Sequence, residues 1–348
     1  RGNGSGGGTP HAPAWQDELL RTRDGDVKAT AGNLQLVLRN DEELAGCFRW
    51  NAFTARVDVF GTLPGPIALP EGPLTDAHIV ALAAWLSGAR TYRMNVRPPQ
   101  VAEAIALAAH ERPFHPVRDY FRSLEWDGVP RIRSAFPTYL GTRASEYESR
   151  VAEILFVSIV ARVFSPGCKV DTVVIFESLP QGTGKTTFIR ELLKPEWSVD
   201  PADNLGSRDF LMALRGVVVV ELGELSVLSR ADYARVKQVI TTQVDSYRDP
   251  FARCMTSYPR QCVFIGSTNT DDWNRDPSGA RRFLPVRVSG IALADYLRDR
   301  DQLWAEAVHL HDTGHDYWTL PATAATEVDD RFDDDVWSEP IAHWLAGK

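Results

Sequence analysis

The sequence predicts an α/β protein built on a parallel sheet, preceded by a smaller, mainly helical accessory domain. Three observations carry that prediction. Apolar, largely β-branched runs of strand length recur at Val173 to Phe176, Val217 to Val220 and Cys262 to Ile265, which suits strands buried on both faces. Segments with helical spacing lie between them. The first run also leads into a Gly-rich turn that opens one of these helices.

That turn organises the rest. From Val170 to Thr187 the chain reads VDTVVIFESLPQGTGKTT: strand, Pro-Gln-Gly-Thr-Gly turn, then a helix start. This is the layout of a phosphate-binding loop, in which glycines let backbone N–H groups close around phosphates and a lysine reaches the terminal ones. Pro180, Gln181, Gly182, Thr183, Gly184, Lys185, Thr186 and Thr187 are the expected nucleotide contacts, with ATP as the nucleotide. The hydroxyl of Thr186 is the expected Mg²⁺ ligand. The full pattern G-x-x-x-x-G-K-[ST] wants glycine where this chain has Leu179, so the turn must open with Ser178, Leu179 and Pro180. An ordinary Gly-rich connection is the alternative; a strand before it and a helix after it favour the phosphate loop.

The 348 residues suffice for two domains and a sizeable core, and 44% hydrophobic with 24% charged residues is ordinary for a globular protein. No apolar run approaches the roughly 20 residues of a membrane span, so a soluble, cytoplasmic protein is expected. RGNGSGGGTPHAP, at the start, reads as a linker or a truncation scar rather than a signal peptide. Cys47, Cys168, Cys254 and Cys262 form no C-x-x-C pair, which argues against zinc and fits a reducing compartment. Net charge is −8, yet residues 230 to 260 carry a local +3, leaving −11 elsewhere. Such a patch can line a DNA channel or simply be a solvated face.

Taken in order, the chain shows strand signals at Leu34 to Leu38 and Ala55 to Phe60, then a Pro-rich break. Thr75 caps a helix whose apolar face is Ile79, Leu82, Ala83, Trp85 and Leu86, and a second helix runs from Pro99 to His110. No catalytic constellation is evident here. The polar-aromatic stretch His115 to Ile132 suits a domain junction, and Tyr147 to Phe164 is a helix apolar almost all round, hence buried. Beyond the Gly-rich loop come a helix to Leu193, a short strand near Trp197 to Asp200 and a helical turn at Asp209 to Leu214.

The valine run ends in Glu221-Leu-Gly-Glu224. Acids at the carboxyl end of a buried parallel strand sit where ligands bind in open α/β sheets. They read as a Walker B pair: Glu221 holding Mg²⁺ through water and Glu224 polarising the attacking water. Ala231 to Thr241 is helical and carries Lys237. Val244 to Tyr258 suggests a β-hairpin with Arg248 and Arg253 on or near it. Another buried strand ends in Asn269, whose amide can orient the lytic water and sense the γ-phosphate. Arg281 and Arg282 lead into a further strand, and an arginine presented there can stabilise transition-state charge in cis or across a subunit boundary. Leu293 to His311 is a helix; His309, His311 and His315 read as surface residues. An acidic tail follows, ending in the helical stretch Ile341 to Leu345.

PGCKVDTVVIFESLPQGTGKTT, VVVVELGEL, VKQVITTQVDSYRDPF, PRQCVFIGSTN, GARRFLPV and RDQLWAEAVHL, in that order, resemble the virulence-associated protein E family. Members are phage- and island-encoded P-loop ATPases related to superfamily 3 helicases and poxvirus-type primase-helicases. The similarity runs from about Glu103 to Trp318, and HPVRDYFRSLEWDGVPRI fits it too. The resemblance implies an AAA+-like core with sheet order 5-1-4-3-2, assembled as a hexameric ring around DNA in a bacterial host's cytoplasm. It makes Lys185 and Thr186 the nucleotide and Mg²⁺ ligands, Glu221 and Glu224 the Walker B acids, and Asn269 the sensor. One of Arg281 and Arg282 becomes the arginine finger, with Lys169 a weaker trans contact. The hairpin with Arg248 and Arg253 corresponds to the element that points into the ring channel, and Lys237 joins them as an expected DNA contact. A primase domain or replication partner often accompanies such a core.

Four segments are expected: a linker at 1–13, an accessory domain at 14–135, the ATPase domain at 136–318 and a tail at 319–348. The expected activity is Mg²⁺-dependent ATP hydrolysis driving DNA unwinding in phage or mobile-element replication. A non-translocating, nucleotide-regulated DNA-binding or interaction module is the alternative. A small-molecule kinase would also use a phosphate loop, but needs no Asn-tipped strand followed by paired arginines.

Overall fold

The computed structural model describes residues 14–200, 205–223, 230–250, 254–270, 273 and 282–329. The chain divides into two units, Arg1–Pro116 and Val117–Lys348. Residues 117–135, expected with the first domain, therefore belong to the second.

In the first unit, helix α1 (Ala31–Asn40) replaces the strand expected at Leu34 to Leu38. Leu34, Val37 and Leu38 are spaced to share one helical face, and all are buried. Its start is fixed locally. Thr30 Oγ1 accepts from the Asn33 N–H at 3.2 Å, while the buried Asn33 amide donates to the carbonyls of Leu20 and Lys28. Strands β1 (Phe48–Asn51), β2 (Arg56–Val59) and β3 (Gly72–Pro73), helices α2 (Asp76–Leu86) and α3 (Pro98–His110) and strand β4 (Pro113–Phe114) complete the unit. The strands form a small sheet in the order β3-β2-β1-β4, in which only β4 runs parallel to its neighbour. Leu82 and Leu86 of α2 and Val101 and Ile105 of α3 meet the α1 face in one core.

The second unit begins within α4 (Pro116–Ser123), at Val117, and continues with α5 (Ala135–Leu140) and the long α6 (Glu146–Phe164), of which Val151 to Val163 is buried throughout. Strand β5 (Val173–Glu177) leads through the Gly-rich loop into α7 (Lys185–Glu191). Then follow β6 (Ser198–Val199), α8 (Arg208–Ala213), β7 (Val219–Leu222), α9 (Arg230–Thr241), β8 (Val244–Tyr247), β9 (Thr256–Pro259), β10 (Val263–Thr268), β11 (Phe283–Arg287), α10 (Leu293–Asp312) and α11 (Ala324–Asp329).

Five strands form one parallel sheet in the order β11-β5-β10-β7-β6, and every residue of β5, β7 and β10 is buried. Side chains alternate between its faces. On one face Ile175, Val220 and Phe264 pack against Phe210 of α8 and Val236 and Ile240 of α9. On the other, Phe176 meets Phe136 of α5 and Phe188 of α7 edge to face, and Phe188 continues to Tyr296 of α10. Helices thus cover both faces, as fully apolar strands require. The hairpin β8-β9 stands as a separate two-stranded sheet. Among the described residues no helix is long and apolar enough to cross a membrane.

Candidate functional site

Parallel strands bring their carboxyl ends to one edge of the sheet, and the sequence placed its polar residues there. Thr268 pairs with Glu177, so Asn269 and the loop after β5 start side by side. Glu221 pairs with Ile265, two residues before Ser267 on the same face of β10. The resulting cleft of about 780 Å³ is lined by Gln181 to Thr187, Asp200, Glu221, Gly223 and Ser267 to Thr270.

The loop itself depends on two glycines. Gly182 and Gly184 have φ of +79° and +88°, a region that costs any residue with a Cβ. Leu179 is not among the residues with positive φ, and it is 64% exposed. The position where the full pattern wants glycine therefore carries a side chain without backbone strain. Ser178 cross-ties the turn: its hydroxyl donates to the Pro180 carbonyl at 3.0 Å and lies 2.9 Å from Thr183 Oγ1.

Lys185, at the start of α7, is buried and points its ammonium at Ser178 Oγ (2.5 Å) and Asn269 Oδ1 (2.8 Å). Burial pulls the lysine below its ordinary pKa, and the Glu221 charge offsets part of that shift. The next residue, Thr186, donates its hydroxyl to Glu221 Oε1 at 2.9 Å, and Ser267 donates to the same oxygen at 2.8 Å. Glu221 Oε2 is buried with no hydrogen-bond partner among the described residues. A hydroxyl and a carboxylate held together, with one anionic oxygen unsatisfied, are hard oxygen donors of the kind Mg²⁺ takes. The residues present therefore fit that ion, which Thr186 and Glu221 would hold.

Lys185, Thr186, Glu221 and Asn269 thus converge, along with the loop residues Gln181 to Thr187. Pro180 contributes its carbonyl to the Ser178 cross-tie rather than to the cleft lining. Arg282 is placed elsewhere. It precedes β11, whose Phe283 pairs with Val173 at the amino end of β5, about 13 Å along the strand from the Gly-rich loop. On the hairpin, Arg248 is exposed just beyond β8, and Lys237 is half-buried on α9. Lys169 is exposed and lies 3.6 Å from Asp171. Glu224, Arg253, Arg281 and the stretch Ile341 to Leu345 lie outside the described residues. His309 lies against Trp126 with the rings tilted by 35°, and His315 lies 3.4 Å from Glu153; no metal-binding cluster of acids, histidines and cysteines exists among the described residues.

Residues 121–335, well over half of the chain, match the virulence-associated protein E-like domain. The chain belongs to that family. None of the curated proteins compared with it matches. Among solved structures it is similar to the apo structure of the NrS-1 C terminal region (305–718), at 13% identity and a TM-score of 0.47 over 86% of this chain and 71% of that one. The A form apo structure of the same region gives 13% identity and 0.47 over 90% and 76%.

In this member of the virulence-associated protein E-like family, two side chains that matter escaped the motif reading. Ser178 was noticed only as an imperfect loop opening, although it receives the Lys185 ammonium. Ser267 lies two residues before Asn269, so alternation along β10 was the signal that put it beside Glu221.

Proposed function

We propose that this chain is a Mg²⁺-dependent ATPase motor of the superfamily 3 helicase type, which translocates on DNA and unwinds it during replication of a phage or mobile element. The observation that carries the reading is the convergence of Lys185, Thr186, Glu221 and Asn269 in one cleft at the carboxyl edge of the parallel sheet. Counted within that sheet, the strand order is 5-1-4-3-2, which supports an AAA+-like core.

In this mechanism the loop N–H groups from Gly182 to Lys185 bind the phosphates, and the Lys185 ammonium turns from Ser178 and Asn269 to the terminal one. Thr186 and Glu221 hold the ion, which when bound neutralises charge developing on the phosphates. Asn269, released by Lys185, orients the attacking water, and Glu224 polarises it. Arg282 sits at the far end of the sheet from its own Gly-rich loop, which supports a finger, Arg281 or Arg282, acting on a neighbouring subunit. Hydrolysis then requires a ring, a hexamer by analogy with superfamily 3 helicases. Arg248, Arg253 and Lys237 contact the DNA backbone, and a primase or other replication partner supplies the strand.

ATP hydrolysis measured with and without single-stranded DNA, with light scattering on the same samples, tests this. Hydrolysis that rises with DNA and coincides with a ring-sized species is expected. A species that binds DNA but shows no strand displacement while hydrolysing ATP would favour the non-translocating module instead.

A further inference from the structure

One carboxylate in the cleft has no role in the mechanism above. Asp200 follows β6, the edge strand beside β7. Ser198 pairs with Val219 and Val199 with Val220, so β6 ends beside the end of β7, and Asp200 lines the same cleft as Glu221. Ser198 Oγ donates to the Arg190 carbonyl of α7 at 3.3 Å, so Ser198 points toward α7. Asp200, just after β6, lines the cleft together with Lys185 and Thr186, the first residues of that helix.

Glu221 shows what such a neighbour could serve. It is 3% exposed, and both hydroxyl donors, from Thr186 and Ser267, go to Oε1. Oε2 is buried and has no partner among the described residues, which is costly for an anionic oxygen unless a cation comes to it. Lys185 is not that cation, because its ammonium is engaged by Ser178 and Asn269. Asp200 itself is exposed and makes no ion pair among the described residues. Two carboxylates and one hydroxyl on one side of a phosphate cleft suit Mg²⁺, which takes one or two carboxylates, keeps several waters and shares the rest of its shell with phosphate.

We propose that Asp200 is the third side chain of the Mg²⁺ site, holding the ion through its water shell in the cleft it shares with Glu221. The assignment rests on the nucleotide-site reading above and adds a residue to it. Asp200 would reach the ion's water shell from the β6 edge, whereas Thr186 of α7 and Glu221 of β7 would hold the ion itself.

The test uses the full chain and Mn²⁺ as the paramagnetic stand-in, titrated by water-proton relaxation in the presence of ADP. ADP affinity in EDTA and a thermal melt are measured on the same samples. Asp200→Asn is expected to weaken Mn²⁺ about 10-fold, the usual size of an outer-shell loss, with metal-free ADP affinity and the melt unchanged. If Asp200→Asn binds Mn²⁺ within twofold of wild type while Glu221→Gln is weakened, Asp200 is no part of the metal site and the nucleotide reading stands. If Glu221→Gln is equally unaffected, the nucleotide reading fails and the Asp200 assignment fails with it.

Discussion

The Gly-rich cleft and the β8-β9 hairpin both concentrate charge, and they place it in opposite ways. In the cleft the buried groups face one another around an open volume: Lys185 on Asn269, Thr186 and Ser267 on Glu221. In the hairpin the buried and part-buried charges are paired off, at the base and in the loop beyond β8. Arg260 forks onto Asp245, with Nε 2.9 Å from Oδ2, and also donates to the Val239 carbonyl of α9. Arg215 reaches Asp249 at 2.9 Å and lies over the Tyr258 ring. Arg248, beyond β8, is left exposed. One region gathers its buried groups around an open cleft, and the other is an arm whose charges are paired off, to α9 at its base and to Arg215 beyond β8, with Arg248 left exposed. The difference teaches that a buried ion pair can serve as scaffold in one place while the same chemistry, left with an orphan oxygen, becomes a site in another.

The sharpest way to break this contrast is Lys185→Ala. It removes the ammonium that the described residues aim into the loop, and hydrolysis should fall by at least about 100-fold, measured as phosphate release, with little change in the melting temperature. Arg260→Met attacks the hairpin root instead. It leaves Asp245 buried without its cation and should cost about 3–5 kcal/mol in urea unfolding. If that loss is under about 1 kcal/mol, the clamp is not what holds the hairpin. Arg248→Ala touches the exposed end and should leave stability alone. If the arm contacts DNA, binding weakens and the slope of log affinity against log salt falls by about 1.

Glu306 sharpens the comparison with the smallest effect. It lies buried on α10 and accepts the N–H groups of Arg131 (2.6 Å) and Ile132 (3.0 Å). Burial raises its pKa above the ordinary 4.5 despite those two bonds. A raised native pKa means that its contribution to stability is fully present below pH 4.5 and is lost as pH rises through the raised value. Glu306→Gln removes that titration, so its melting temperature relative to wild type should climb between pH 4 and pH 7. A difference that stays flat over that range would show that Glu306 does not titrate differently in the folded state.

Much of the second unit was readable because its strands are uniformly apolar and end in diagnostic polar residues. The runs at β5, β7 and β10 could only be central strands, and Lys185, Glu221 and Asn269 follow from their ends. The first unit was harder. Leu34 to Leu38 alternates well enough to pass for a strand, and the local lock from Thr30 and Asn33 that makes it helical depends on carbonyls as far back as Leu20. Its β3 and β4 are two residues long, below what period-two patterning can detect. Leu179 misled in another way, because the motif demands a glycine that this backbone does not need. Ser267 was hinted at only by its alternation with Asn269, and Asp200 carried no signal, because its place in the cleft depends on where β6 ends beside β7.

The central claim is that the cleft binds Mg²⁺-nucleotide through Lys185, and calorimetric titration of ATP into the full chain, wild type against Lys185→Ala, tests it most directly. The account predicts Mg²⁺-dependent binding at one site per chain that weakens at least 10-fold in the variant. Equal affinity in the two proteins, or heat of binding that does not depend on Mg²⁺, would contradict it.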